Sequence, residues 1–184
     1  MDLLAFGGSD KPRTGYSVEI WADQILHFIQ EVIVERDGAR QAVVVGNSLG
    51  SLACLSAAAS SSPLIGAVAL FNCAIGMNSK ARPLPGCGRA EAIFLGWIAP
   101  PIFLLLDLLL RSPLGRTLFD HVRQPNTIRS VLENGVYVNR TRVDDELVQL
   151  IASPAEADGA FEAFVETLTG DPGPRPETLS LIHI

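Results

Sequence analysis

Ser48 stands in Gly46-Asn47-Ser48-Leu49-Gly50, between the β-branched run Val43-Val44-Val45 and a run rich in Ala and Leu. Gly-x-Ser-x-Gly alone arises often by chance. Placed where a strand meets a helix, it describes a specific device: a turn so tight that its flanks must be small, which Gly46 and Gly50 supply. Such a turn pushes the serine hydroxyl out at the carboxyl end of a sheet, with the helix N-terminus beneath it. Ser48 is therefore the candidate nucleophile, and the backbone N–H of Leu49 the candidate oxyanion donor. Removing one such donor typically slows a reaction by about 10²–10³-fold.

A serine nucleophile needs a base to take its proton. The sequence holds three histidines. His27 precedes the serine on an apolar-striped helix and reads as a structural or surface residue. His121, in Leu-Phe-Asp-His-Val-Arg, reads as solvated. His183 lies in the terminal Leu-Ser-Leu-Ile-His-Ile. That tail breaks the preceding pattern and resembles translated adapter sequence, so His183 is not assigned as a base. Asp144 and Asp145 read as the start of a helix, capping rather than acid chemistry. Cys54, Cys73 and Cys87 form neither a disulfide framework nor a zinc-ligand spacing, so no metal or cofactor is expected.

The elements that would position Ser48 are legible around it. Ser17 is a plausible N-cap, with Glu19 in the first turn, and Ile20, Trp21, Ile25, Phe28, Ile29, Val32 and Ile33 recur at helical spacing. Asp37-Gly38 ends that helix. Val43–Val45 reads as a strand buried on both faces. Ser48 to Ser60 reads as a helix, which Ser61-Ser62-Pro63 breaks, and Ile65 to Asn72 as a second buried strand. Strand, helix and strand make a βαβ unit with a right-handed crossover and a parallel sheet. Leu3 to Phe6 reads as the tail of an earlier strand, and Gly7 to Gly15 as a loop. After a Pro/Gly-rich loop from Asn78 to Arg89, residues 90 to 168 look helical in pieces, broken at Pro100-Pro101, Pro113, Pro125 and Pro154. The fold class is α/β with an α-helical insert.

The bulk numbers narrow the function. At 184 residues, 48% hydrophobic and 18% charged, the chain can bury one core and is not a disordered polymer. A net charge of −6 without a Lys/Arg cluster excludes nucleic acid as the expected partner. The first residues show neither the basic start nor the long apolar run of a signal peptide, so the expected location is intracellular, cytoplasm or chloroplast. For the same reason the sequon Asn139-Arg140-Thr141 carries little weight. The most apolar stretch, Ala92 to Arg111, contains Asp107 and is split by Pro100-Pro101. It falls short of the ~20 apolar residues of a membrane span. The favoured reading is a buried cap helix. The alternative is a lid whose apolar face meets a lipid-like substrate or, peripherally, a membrane surface.

The segments Asp2 to Pro12, Tyr16 to Ile29 and Val43 to Ala53 resemble, in order and spacing, the α/β-hydrolase family. They are similar to that family's loop after its fourth strand, the helix that follows, and its nucleophile elbow. Val68 to Ala74 resembles the next strand. The likeness is strongest to pheophytinase-like and haloalkane-dehalogenase-like hydrolases. The dehalogenases carry aspartate where Ser48 stands, so serine implies ester-type acyl transfer. The resemblance implies a partial hydrolase core over 1–74, a helical cap over 75–178 and an artefactual tail over 179–184. It also implies a triad ordered Ser, acid, His, with acid and base beyond Pro176 and earlier strands upstream of Met1. The expected activity is that of a serine hydrolase on an ester of a hydrophobic small molecule. Phe94, Trp97, Ile98, Phe103 and the Leu104–Leu106 run would supply the apolar surface. Two readings compete: a non-catalytic relative that binds a hydrophobic ligand, and a membrane-associated helical protein.

Overall fold

A computed structural model describes residues 1–60, 62–77, 97 and 99–179. Expectations for Ser61, the Asn78–Arg89 loop with Cys87, Phe94, Ile98 and the tail with His183 lie outside the described residues. The chain divides into two compact units. One comprises Met1–Thr14 and Pro83–Glu166, the other Gly15–Arg82 and Thr167–Ile184.

In the second unit, Ser17 is extended and its hydroxyl accepts the Ile20 N–H at 3.3 Å, which starts helix α1, Val18–Phe28. The apolar stripe buries Val18, Trp21, Ala22 and Ile25, and then Ile29 in the widened π-type turns of Ile29–Arg36 that continue the helix. Gly38, at φ +72°, closes it by donating its N–H to Val34. Strand β1 spans Ala42–Asn47 and β2 spans Ile65–Phe71. They pair in parallel, with Val43 opposite Ala67 and Asn47 opposite Phe71. Helix α2, Leu49–Ala59, forms the crossover and packs on both strands and on α1. Its inner face of Ser51, Leu52, Ala53 and Ala57 is wholly buried, and these residues are mostly small enough to bring helix and sheet close.

Two expectations change here. The strands were read as buried on both faces, yet Val43 and Val45 are 67% and 63% exposed. Helix α2 covers the face of Val44 and Gly46, and among the described residues nothing covers the other. Nor is Leu3–Phe6 the end of a strand. Its backbone turns, with Ala5 at φ +78° and the Phe6 N–H bonded to the Leu3 carbonyl. The loop spends its polar groups on itself. The Asp2 carboxylate accepts the Gly8 N–H at 2.7 Å, the Ser9 hydroxyl donates to the Asp2 carbonyl at 2.8 Å, and the Lys11 ammonium donates to the Gly7 and Ser9 carbonyls.

The first unit is helical: α3 Ala99–Leu110, α4 Pro113–Val122, α5 Pro125–Val131 and α6 Asp145–Ala152, then α7 Ala160–Thr169, which runs on into the second unit. The prolines open these elements rather than interrupt them. Pro113 and Pro125 are the first residues of their helices, where a fixed φ helps and the missing N–H costs nothing. Ser112 and Asp144 cap α4 and α6 by accepting the N–H groups of Leu114 and Leu147. Phe119 packs its ring 5.6 Å from Phe161 and 5.2 Å from Phe164, with Arg116 stacked over the Phe161 ring and Arg123 over that of Phe119. Helix α3 departs from the buried helix expected for this stretch. It buries Ala99 and Leu110, while Ile102, Leu104, Leu105, Leu106, Leu108 and Leu109 are exposed. Among the described residues no helix is long and apolar enough to cross a membrane.

Candidate functional site

Between the last residue of β1 and the first of α2 lies a single residue, Ser48. Reversing the chain there requires φ 52° and ψ −119°, a conformation that side-chain-bearing residues rarely adopt. Holding such a residue costs on the order of 1–3 kcal/mol, so its surroundings must over-determine it. They do so through the neighbouring strand. The Ser48 N–H donates to the Phe71 carbonyl at 2.9 Å, and the Ser48 carbonyl accepts the Ala74 N–H at 3.1 Å and the Ser51 N–H at 3.0 Å. The serine itself is exposed.

The groups around Ser48 suit a developing negative charge. The N–H groups of Leu49 and Gly50 open helix α2 and have no acceptor among the described residues. They lie at the positive end of the helix dipole. The two glycines do different work. A Cβ on Gly46 would fall 2.5 Å from the backbone carbon and oxygen of Gly50, so the first turn of α2 passes directly over the strand at that point. A Cβ on Gly50 would meet nothing within 4 Å among the described residues.

Three further residues adjoin the elbow. Asn72 follows β2 at φ +47°, and its amide donates to the Asn47 Oδ1 at 3.3 Å, which links the carboxyl ends of the two strands. Asn and Asp tolerate positive φ better than most residues, the one sequence signal that could have singled out Asn72. Ser51 is fully buried and bonds to both main-chain groups of Phe71. A small residue three positions after Ser48 gave no hint of that. Cys54 is buried in α2. Its thiol is pushed up by burial and, secondly, by the nearby Cys73, which marks it as unreactive rather than nucleophilic.

His27 is exposed on α1, and His121 is exposed on α4 in the other unit. Neither is hydrogen-bonded to Ser48. Asp144 caps α6, and Asp145 pairs with Arg129. Among the described residues no three His, Cys, Asp or Glu side chains converge as a metal site. No curated protein and no solved structure is detectably similar to the chain. A match to the alpha/beta hydrolase family runs over residues 1–180 of 184, covering the parallel pair, the crossover helix and the turn that carries Ser48, and the chain belongs to that family.

Proposed function

We propose that the protein is a serine hydrolase that cleaves an ester of a hydrophobic small molecule, with Ser48 as nucleophile. Membership of a hydrolase family supports the reaction class. The single observation that carries the residue assignment is the backbone of Ser48. It is exposed, held at positive φ, and followed by the N–H of Leu49, which has no acceptor among the described residues. The ester would enter with its carbonyl oxygen toward Leu49. Attack by the Ser48 hydroxyl would form a tetrahedral oxyanion, which that N–H and the dipole of α2 stabilise. Water would then cleave the acyl-enzyme. The acid and base are expected from residues outside the described set, in the family order. The expected substrate is lipophilic, of the kind handled by pheophytinase-like hydrolases.

One observation favours a second reading, a ligand-binding relative without catalysis: His27, the histidine described in the same unit as Ser48, is exposed and makes no hydrogen bond to it. A fluorophosphonate probe separates the two. In the full-length protein it should label Ser48, and Ser48→Ala should abolish labelling. Labelling at a different serine would refute the assignment, and no labelling of a correctly folded protein would favour the binder.

A further inference from the structure

We propose that Ser51 is a positioning residue of this elbow, its hydroxyl holding Ser48 in the strained conformation. The proposal rests on the reading of Ser48 as nucleophile. Ser51 lies in the first turn of α2 and is 0% exposed. Its hydroxyl donates to the Phe71 carbonyl at 2.9 Å and accepts the Phe71 N–H at 3.1 Å. The same carbonyl accepts the Ser48 N–H at 2.9 Å. One oxygen at the end of β2 is thus shared by the strained residue and by a side chain three residues along. The Ser51 N–H in turn donates to the Ser48 carbonyl at 3.0 Å, which closes a ring of hydrogen bonds through Ser48, Phe71 and Ser51.

The physical consequence is specific. Relaxing Ser48 toward an ordinary φ would swing its N–H away from Phe71 and its carbonyl away from Ala74 and Ser51. The Ser51 hydroxyl opposes this by tying the start of α2 to the same peptide group of β2 from a second direction. Because Ser51 is fully buried, a hydroxyl removed there leaves the Phe71 main-chain groups facing a methyl group on that side. Helix α2 holds one other serine, Ser56, and is flanked by Ser48 and Ser60 as its caps, of which Ser60 merely bonds the Ala57 carbonyl of its own helix. The bond from Ser51 to a neighbouring strand is what sets it apart.

The test compares wild type, Ser51→Ala, Ser51→Thr and Ala57→Gly. Ala57 is also fully buried in α2. A glycine there weakens the helix without touching Phe71. Two readouts are taken: the rate of fluorophosphonate labelling of Ser48 in the full-length protein, and hydrogen exchange of the Ser48 and Phe71 amides. Ser51→Ala should slow labelling about 10-fold or more and speed exchange at those two amides. Ser51→Thr, which keeps the hydroxyl, should recover most of both. Ala57→Gly should lower the melting temperature and leave both readouts near wild type. Equal slowing by Ala57→Gly, or wild-type labelling and exchange in Ser51→Ala, would overturn the proposal. If wild type is not labelled at Ser48, the nucleophile reading fails separately, and amide exchange alone decides whether Ser51 holds the elbow.

Discussion

At the scale of single residues, Ser48 is built for something other than stability. With φ at 52°, it occupies backbone space that glycine enters freely and serine does not. Ser48→Gly should therefore raise stability by about 1 kcal/mol, the relief of strain exceeding the extra chain entropy that glycine loses on folding. The same change should remove all nucleophilic reactivity. Chemical denaturation of both proteins checks the first half, and an unchanged or lower midpoint would contradict the strain. The flanking glycines should separate as well. Gly46→Ala places a methyl group against backbone atoms of Gly50 that cannot move aside, and should cost several kcal/mol or soluble expression. Gly50→Ala meets open space on a helix, and should be neutral or stabilising by up to ~1 kcal/mol. Equal damage from both would contradict the geometry. The sequence pattern pointed to Ser48 and both glycines, but it treated the glycines alike. Which of them carries the steric burden depends on the angle at which α2 crosses β1, and no residue type encodes that angle. Ser51 was illegible for a related reason, since its partner Phe71 is distant in sequence and offers only main-chain groups.

At the scale of elements, legibility followed how local the determining interaction is. Ser17 and Asp144 were readable as caps because a cap is satisfied two or three residues away. The first strand was readable from its β-branched run and the second from the apolar stretch Ile65 to Phe71, and their parallel pairing from the intervening helix. Leu3–Phe6 was misread because its apolar residues suit a strand, while Asp2, Ser9 and Lys11 fold the backbone into a self-bonded loop. The proline-rich helical region was readable as helical in pieces, though the prolines proved to be starts. Helix α6 offers a direct check. Its cap is a single carboxylate on the Leu147 N–H at 2.8 Å. Asp144→Ala should destabilise the protein by about 1 kcal/mol, and Asp144→Asn by only a few tenths, since the amide oxygen can accept the same bond. Thermal unfolding of the two variants measures this. An Asn variant as weak as the Ala variant would assign the effect to charge rather than to capping.

At the scale of the whole molecule, the exposed apolar surface stands out. Parallel sheets are ordinarily covered on both faces, but here Val43, Val45 and Phe71 are exposed, at 67%, 63% and 58%. The sheet has two strands, so each presents an unpaired edge among the described residues. Helix α3 adds six exposed Ile and Leu side chains, with Asp107 the one charged residue of the helix. Monomers rarely leave large apolar patches uncovered without a partner, and a net charge of −6 on 184 residues gives only modest repulsion between copies. The 184-residue chain, produced alone, should therefore self-associate. Light scattering coupled to size exclusion should show assemblies larger than a monomer at micromolar concentration. Val43→Thr with Val45→Thr, which keep the β-branched shape and add hydroxyls, should shift the distribution toward monomer, as should Leu105→Lys on α3. A wild-type chain that elutes as a cooperatively unfolding monomer would refute this expectation.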